Sequence, residues 1–476
     1  MNDDVIPDVL ADRYASEAIV SIWSPRAKVL LERELWITVM RAQRSLGVDI
    51  PEAAIEAYVA VAPQVDLASI RERERVTRHD VKARIDEFCA LAGYQHIHKG
   101  LTSRDLTENV EQLQILRSLR LFRIKYAASI LQLANRAAEF RDLTVTGRTH
   151  NVPAQVTTVG KRLAMFGQEM LIGFDRLEAF LAGFPFRGLK GPVGTQLDLG
   201  TLLGGESGRV ERLEREVADR LGFSRILSSV GQIYPRSLDF EVLSTLCQMS
   251  AGPSSFAKTL RLMAGHELAS EGFRDGQVGS SAMPHKVNSR SCERISGLHS
   301  VLHGYLDMVA SLAGDQWNEG DVSCSVVRRV ALPGGMFSFD GLLETFLTVV
   351  AEMEVIPARI AAERLQHLPF LASTTILMEA VRGGAGRESA HEAIKEHSLA
   401  AARLSRSGGN AGATLVERLA SDARLGMTRD EIDAIIRDAS AFAGNAAAQT
   451  DSFVTAAREI ASKVPGAREL MPGAIL

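Results

Sequence analysis

LTSRDLTENVEQLQILRSLRLFRIKYAASILQLANRAAEFRDLTVT, residues 101–146, contains neither glycine nor proline. Within it Val110, Leu113, Leu116 or Leu119, and then Ile124, Ala128 and Leu131, fall near a 3.6-residue period. Thr102, Ser103 and Asp105 offer hydroxyl and carboxylate caps for a first turn, and Gly147 closes the run. The stretch reads as one helix of unusual length, or two abutting ones. Such a helix needs a bundle to bury its apolar positions, often with helices from other subunits.

Outward from this run, helical patterns recur at 153–182, 207–221, 236–271, 291–314 and 334–353. Strand-like alternation is scarce, with short pieces around 184–195 and 223–234 as the candidates. Residues 1–100 read as shorter helices punctuated by Pro51 and Pro63, and after Pro357 the pattern again breaks into short helices. The expected architecture is mostly α, with an N-terminal helical domain (1–105), a long-helix bundle (106–357) and a C-terminal helical domain (358–476).

The 476 residues suffice for a large core, and a hydrophobic content of 46% with 24% charged residues is that of a globular chain. A formal charge of −4 gives no global attraction to nucleic acid or anionic membrane, so an anionic ligand needs a local cationic cluster. No apolar run is long enough to span a bilayer, and the start, MNDDVIPDVL, has no secretory pattern. Four cysteines scattered without a C-x-x-C pair argue against a disulfide framework or thiolate zinc site and suit a reducing cytosol. The expected location is cytoplasmic.

Three separate stretches concentrate polar chemistry. GSSAMPHKVNSRSCE (279–293) places Ser280 and Ser281 after a glycine, then Lys286, Asn288 and Glu293. Free backbone N–H groups, a cation and an amide dipole are what a carboxylate gathering negative charge requires. GRTHNVPAQ (147–155) carries Thr149 and His150 in a polar turn before a helix. HKGLTSRDL (98–106) puts His98, Thr102 and Ser103 at the start of the long helix, where the macrodipole favours an anion and plain capping is also served.

GSSAMPHKVN closely resembles the signature loop of the fumarase/aspartase superfamily, and the other two stretches resemble its further blocks. The resemblance implies elimination of fumarate from a succinyl-bearing substrate. In it Ser280 is the general base and His150 the general acid, Glu293 orients and charges His150, and Lys286, Asn288 and Thr102 stabilise the carboxylate. Ser103 would also hold a substrate carboxylate, and His98, Thr149 and Ser281 would line the site. A serine base needs a large pKa depression, for which Lys286 and nearby backbone donors are the source.

DRYAS (12–16), RHDVK (78–82) and SCSVVRRVALP (323–333) are each uninformative alone, and Arg328-Arg329 by itself reads as a solvated face. Together they resemble the nucleotide-binding blocks of the adenylosuccinate lyase family within the superfamily. By that match Arg13, Tyr14, Ser325 and Arg329 contact phosphate and ribose, and Arg78, His79 and Asp80 lie against the purine and succinyl group. Gln232 binds the succinyl part. Guanidinium groups suit phosphate through bidentate charge-assisted bonds. The family further implies a homotetramer with sites shared between subunits and a nucleotide substrate, with neither metal nor organic cofactor. Another fumarate-releasing lyase such as argininosuccinate lyase, or a non-catalytic helical homologue, are the competing readings. Three departures stand out. Ser289 occupies a place where relatives commonly have Pro, Gly320 one where many carry Arg before the Asp, and Arg294 one where several have Asn, which makes Arg294 a candidate for the missing charge.

Overall fold

In a computed structural model, the structure describes residues 8–273, 276–277, 279–283, 285–407, 411–437, 441–471 and 473. It opens with short helices: α1 (Val9–Arg13), α2 (Glu17–Trp23), α3 (Pro25–Ser45), α4 (Glu52–Val61), α5 (Leu67–Thr77) and α6 (Asp80–Ala92). The breaker-free run then becomes α7 (Ser103–Glu139), a single helix of 37 residues. Its start is fixed by Asp105, whose Oδ2 accepts the Thr102 backbone N–H at 2.8 Å. The helix is buried nearly all round rather than along one stripe, polar Asp105, Glu108, Asn109 and Gln112 included.

Gly147 does not end this helix. It stops at Phe140, and the chain turns into a hairpin of β1 (Thr144–Thr149) and β2 (Val152–Thr158), which the sequence reading did not anticipate. The strands pair antiparallel from Thr144↔Thr158 to Thr149↔Val152, with a bulge between Gly147 and Arg148. β-branched Thr144, Val145, Thr146, Val156, Thr157 and Thr158 favour this pleated pairing, but the glycine, the proline and the bulge interrupt their alternation. His150 and Asn151 form the two-residue loop at φ 53° and 61°, the positive values that a type I′ turn requires at both positions. α8 (Val159–Gly183) follows, capped by Thr158 Oγ1 accepting from Lys161 N at 3.0 Å. A Cβ on Gly160 would stand 2.4 Å from the Ala137 carbonyl, so only glycine lets α8 return this closely onto the end of α7.

Next come β3 (Pro185–Phe186), α9 (Leu197–Leu202), α10 (Ser207–Leu221) and β4 (Arg225–Ile226), β3 and β4 pairing in parallel inside the two expected strand segments. α11 (Ser237–Gly265), β5 (Ala269–Ser270), α12 (Arg290–Ala310), α13 (Cys324–Glu352) and β6 (Glu354–Val355) complete the centre. α13 begins ten residues before its expected start at 334 and runs through Pro333. A proline disfavours helix before it, but here Arg328 ties the first turns down through ion pairs to Asp239 (2.7 Å) and Glu111 (2.6 Å).

α7 packs on α8 and α13, α8 on α11, α11 on α12 and α12 on α13. Phe122 and Phe339 meet edge to face at 4.9 Å between α7 and α13, and Tyr126 Oη donates to the Met249 carbonyl at 2.8 Å between α7 and α11. A second core, from Ala372 to Ile432, belongs to α14 (Pro357–Leu371), α15 (Ser373–Arg382), α16 (Arg387–Arg406), α17 (Ala411–Ala420) and α18 (Arg429–Arg437). The last helix, α19 (Ala446–Lys463), leaves that core and buries Phe453, Val454 and Ala457 in the central one. Among the described residues, no helix is long and apolar enough to cross a membrane.

Candidate active site

Where α6 and α7 begin, their N-termini open onto one cavity of about 520 Å³. His79, Asp80, Thr102, Ser103, Gln232, Ser325 and Arg329 all line it, so seven expected site residues from four parts of the chain converge. His79 caps α6, its Nδ1 accepting from Lys82 N at 3.2 Å, which leaves Nε2 3.3 Å from Ser103 Oγ. Asp80 sits 3.4 Å from Arg84 and 4.0 Å from Arg329. Burial alone would raise its pKa, but Arg84, the Val81 N–H, Lys28 and Arg329 outweigh that and hold it below the usual carboxylate range. Arg78, beside them, adopts φ 52° as the αL cap of α5.

Beneath the cavity lies a charge network. Glu108 accepts from Arg104 at 3.0 Å and from Arg236 at 2.9 Å, with Arg328 at 3.5 Å. Burial would raise the Glu108 carboxyl, but Arg328, Arg236 and Arg104 together bring it down to about 2. Arg328, expected on a solvated face, is instead 2% exposed and bound to Asp239 and Glu111, whereas Arg329 is the exposed member of the pair. Sequence reasoning therefore missed Arg104, Glu108, Arg236 and Arg328. The (i, i+4) spacing of Arg104 and Glu108 and the (i, i+3) spacing of Arg236 and Asp239 were local signals available.

His98, expected to line the site, is not among the residues lining this cavity; it adopts φ 64°, its Nδ1 accepting the Trp36 indole N–H at 3.1 Å. Burial, with His79 close by, depresses its pKa to about 4 despite Asp105, so the ring is neutral near pH 7 and carries its proton on Nε2. An unfolded histidine titrates near 6.5. Between that value and 4 the unfolded chain holds more protons, so this stabilising term is lost as pH falls through the window. Melting temperatures from pH 7 to 4 should therefore decline less steeply for His98→Gln than for wild type, and parallel declines would rule the assignment out.

The signature loop forms a second group. Ser280 Oγ accepts from Met283 N at 3.1 Å, and Asn288 Nδ2 donates to the Gly279 carbonyl at 2.8 Å. Ser281 and Lys286 are exposed. Pro284 lies outside the described residues. Glu271, which the sequence did not flag, anchors the loop's exit by accepting from Ser291 N (3.0 Å) and Cys292 N (2.9 Å) at the start of α12. Arg294 on the same helix lies over the Tyr14 ring at 5.4 Å, and burial together with nearby Arg13 and Arg290 lowers its pKa.

His150 defines a third group, exposed with Thr149 at the tip of the hairpin. A non-glycine residue held at positive φ is backbone strain of the kind that accumulates at functional positions. Within one chain Glu293 pairs with Arg261 at 3.3 Å, and among the described residues no ion pair joins it to His150. Neither Ser280, Lys286, Glu293, Arg294, Arg13 nor His150 lines the cavity. Within one chain the expected residues thus fall into three groups, of which one lines the cavity. Among the described residues no three or more His, Cys, Asp or Glu side chains group as a metal set.

A family model described as "Lyase" matches residues 16–304, and one described as "Adenylosuccinate lyase C-terminus" matches 369–453. Similar curated proteins include the adenylosuccinate lyases of Schizosaccharomyces pombe and Saccharomyces cerevisiae, each 33% identical across 94% of this chain and 93% of theirs. Among solved structures, the 3-carboxy-cis,cis-muconate lactonizing enzyme of Pseudomonas putida superposes with a TM-score of 0.81 at 18% identity, covering 95% of this chain and all of that one. A fumarate lyase from Mesorhizobium sp. BNC1 gives 0.77 at 21% identity, covering 93% and 98%; likenesses at this identity speak for the fold. By its end-to-end relation to these curated relatives, the chain belongs to the adenylosuccinate lyase family.

Proposed function

We propose that this chain eliminates fumarate from adenylosuccinate, leaving AMP, and from succinylaminoimidazole-carboxamide ribotide, leaving the aminoimidazole-carboxamide ribotide, in purine nucleotide synthesis in the cytoplasm. One observation carries this reading: a cavity at two helix N-termini holds Arg329, Lys28 and Arg104 alongside His79, Ser103 and Gln232, which suits an anionic, hydrogen-bonding substrate.

In the reaction, Ser280 removes a proton from the carbon beside a succinyl carboxylate. The electron pair moves to form the fumarate double bond, the C–N bond breaks, and His150 gives a proton to the departing nitrogen. Lys286, Asn288 and the α7 N-terminus at Thr102 and Ser103 stabilise the charge gathering on the carboxylate. Because Ser280, Lys286 and His150 do not line the cavity of their own chain, we assign each working site to three chains of a homotetramer: one gives the cavity, another the 279–293 loop, a third His150. In that arrangement Glu293 charges the His150 of a neighbouring chain.

Incubation with adenylosuccinate, followed by purine absorbance and enzymatic detection of fumarate, tests the reading. No fumarate from either substrate would reject it in favour of a non-catalytic helical assembly. Arg329→Ala should raise KM for adenylosuccinate by about ten- to hundred-fold, the worth of a charge-assisted phosphate contact. An unchanged KM would remove Arg329 from the phosphate.

A further inference from the structure

Position 320 cannot supply the cation that many family members carry there. Gly320 has φ +121°, and a Cβ on it would meet Ile233 Cγ1 at 2.8 Å. Arg294, the sequence-based candidate for the replacement, is stacked on Tyr14 and does not line this chain's cavity. A different guanidinium does reach the spot. Arg104, the second residue of α7, lines the cavity with its side chain 11% exposed, and its Nη2 donates to the Asp321 carbonyl at 3.4 Å, next to Gly320. The same Nη2 donates to Ser325 Oγ at 3.1 Å.

We infer that Arg104 binds the substrate's phosphate monoester together with Ser325 and Arg329, replacing from the long helix the cation absent at position 320. The inference rests on the proposed nucleotide substrate.

Two features of the charge balance support it. Glu108, the carboxylate paired with Arg104 at 3.0 Å, also accepts from Arg236 at 2.9 Å, while Arg328, 3.5 Å away, is held more closely by Glu111 at 2.6 Å and Asp239 at 2.7 Å, so Arg104 shares its carboxylate chiefly with Arg236. Of these three guanidiniums only Arg104 lines the cavity. Orientation matters as well as charge. A hydroxyl accepting from Arg104 keeps its own proton available, so Ser325 is set to donate to a phosphate oxygen beside the guanidinium. Arg104 thus acts twice, as a cation toward the dianion and as the group that turns Ser325.

Titration calorimetry on the purified full-length protein, with AMP and with adenosine, tests the assignment. Arg104→Gln should weaken AMP by about ten- to hundred-fold, change adenosine by less than about twofold, and raise KM for adenylosuccinate more than it lowers kcat. Arg104→Lys should recover part of the AMP affinity, since it restores the charge without the planar fork. Ser325→Ala should cost less in the Arg104→Gln background than alone, because the hydroxyl has then lost its orienting donor. Equal weakening of AMP and adenosine would reduce Arg104 to a cavity prop, and unchanged AMP binding would overturn the assignment outright. Fumarate release by wild type with unaltered AMP affinity in Arg104→Gln sinks only this inference. Arg104-dependent AMP binding without any fumarate release sinks the lyase reading instead. A wild-type protein that neither binds AMP nor releases fumarate overturns both.

Discussion

Ser280→Ala should lower fumarate release by about 10²–10⁴-fold, the usual range for removing a positioned general base. It should leave the fold intact, because Ser280 is half-buried on a loop and its hydroxyl accepts one local bond from Met283 N. His150→Ala should do the same for a different reason, removing the proton donor from an exposed hairpin tip. The informative experiment combines them. If every site draws Ser280 from one chain and His150 from another, an equal mixture of the two inactive variants, after subunit exchange, should regain about a quarter of wild-type activity. That fraction is the chance that a site receives both intact residues. No recovery after exchange has been verified by mass spectrometry would show that the groups work within one chain, against the separation described above.

Asp105→Ala should have the largest effect on stability. Asp105 and Arg187 are both fully buried, with Nη1 2.6 Å from Oδ1. The same Oδ1 accepts from Lys190 N (2.8 Å) and Gly191 N (3.1 Å), while Oδ2 accepts from Thr102 N. Removing the carboxylate strands a guanidinium in the core with only neutral carbonyls, those of Gly188, Gly191 and Gly231, as partners among the described residues. Breaking a buried pair from one side costs about 3–5 kcal/mol. Asp105→Asn keeps the shape but not the charge and should fall between the alanine variant and wild type. The loss should extend to the site, since Asp105 holds Thr102 and the 187–191 loop at once, so KM should rise in the surviving protein. A stability change below about 1 kcal/mol by chemical denaturation would mean that Arg187 is satisfied without it.

The limits of local pattern reading show at particular residues. The hairpin at 144–158 was hidden because Gly147 and Pro153 are turn signals in a linear reading, whereas here both sit within paired strands around a bulge. Arg328 looked solvated because its partners, Asp239 and Glu111, lie 89 and 217 positions away. No helical period connects such positions. The first turns of α13 were missed for the same reason: Pro333 argued against helix, and the ion pairs that overrule it are invisible along the chain.

By itself, the sequence determined an extended helical run after Leu101, as one helix or two, the predominantly helical architecture and the residue types at three chemical stretches. These follow from backbone propensity, from the spacing of apolar side chains and from motifs that are contiguous. Only the tertiary structure decided which stretches share a cavity, that among the described residues Glu293 pairs with Arg261 and no ion pair joins it to His150, and that Arg104 rather than Arg294 faces Ser325. Electrostatic interaction depends on distance in space and on the burial of each charge, and neither quantity exists until distant segments have packed.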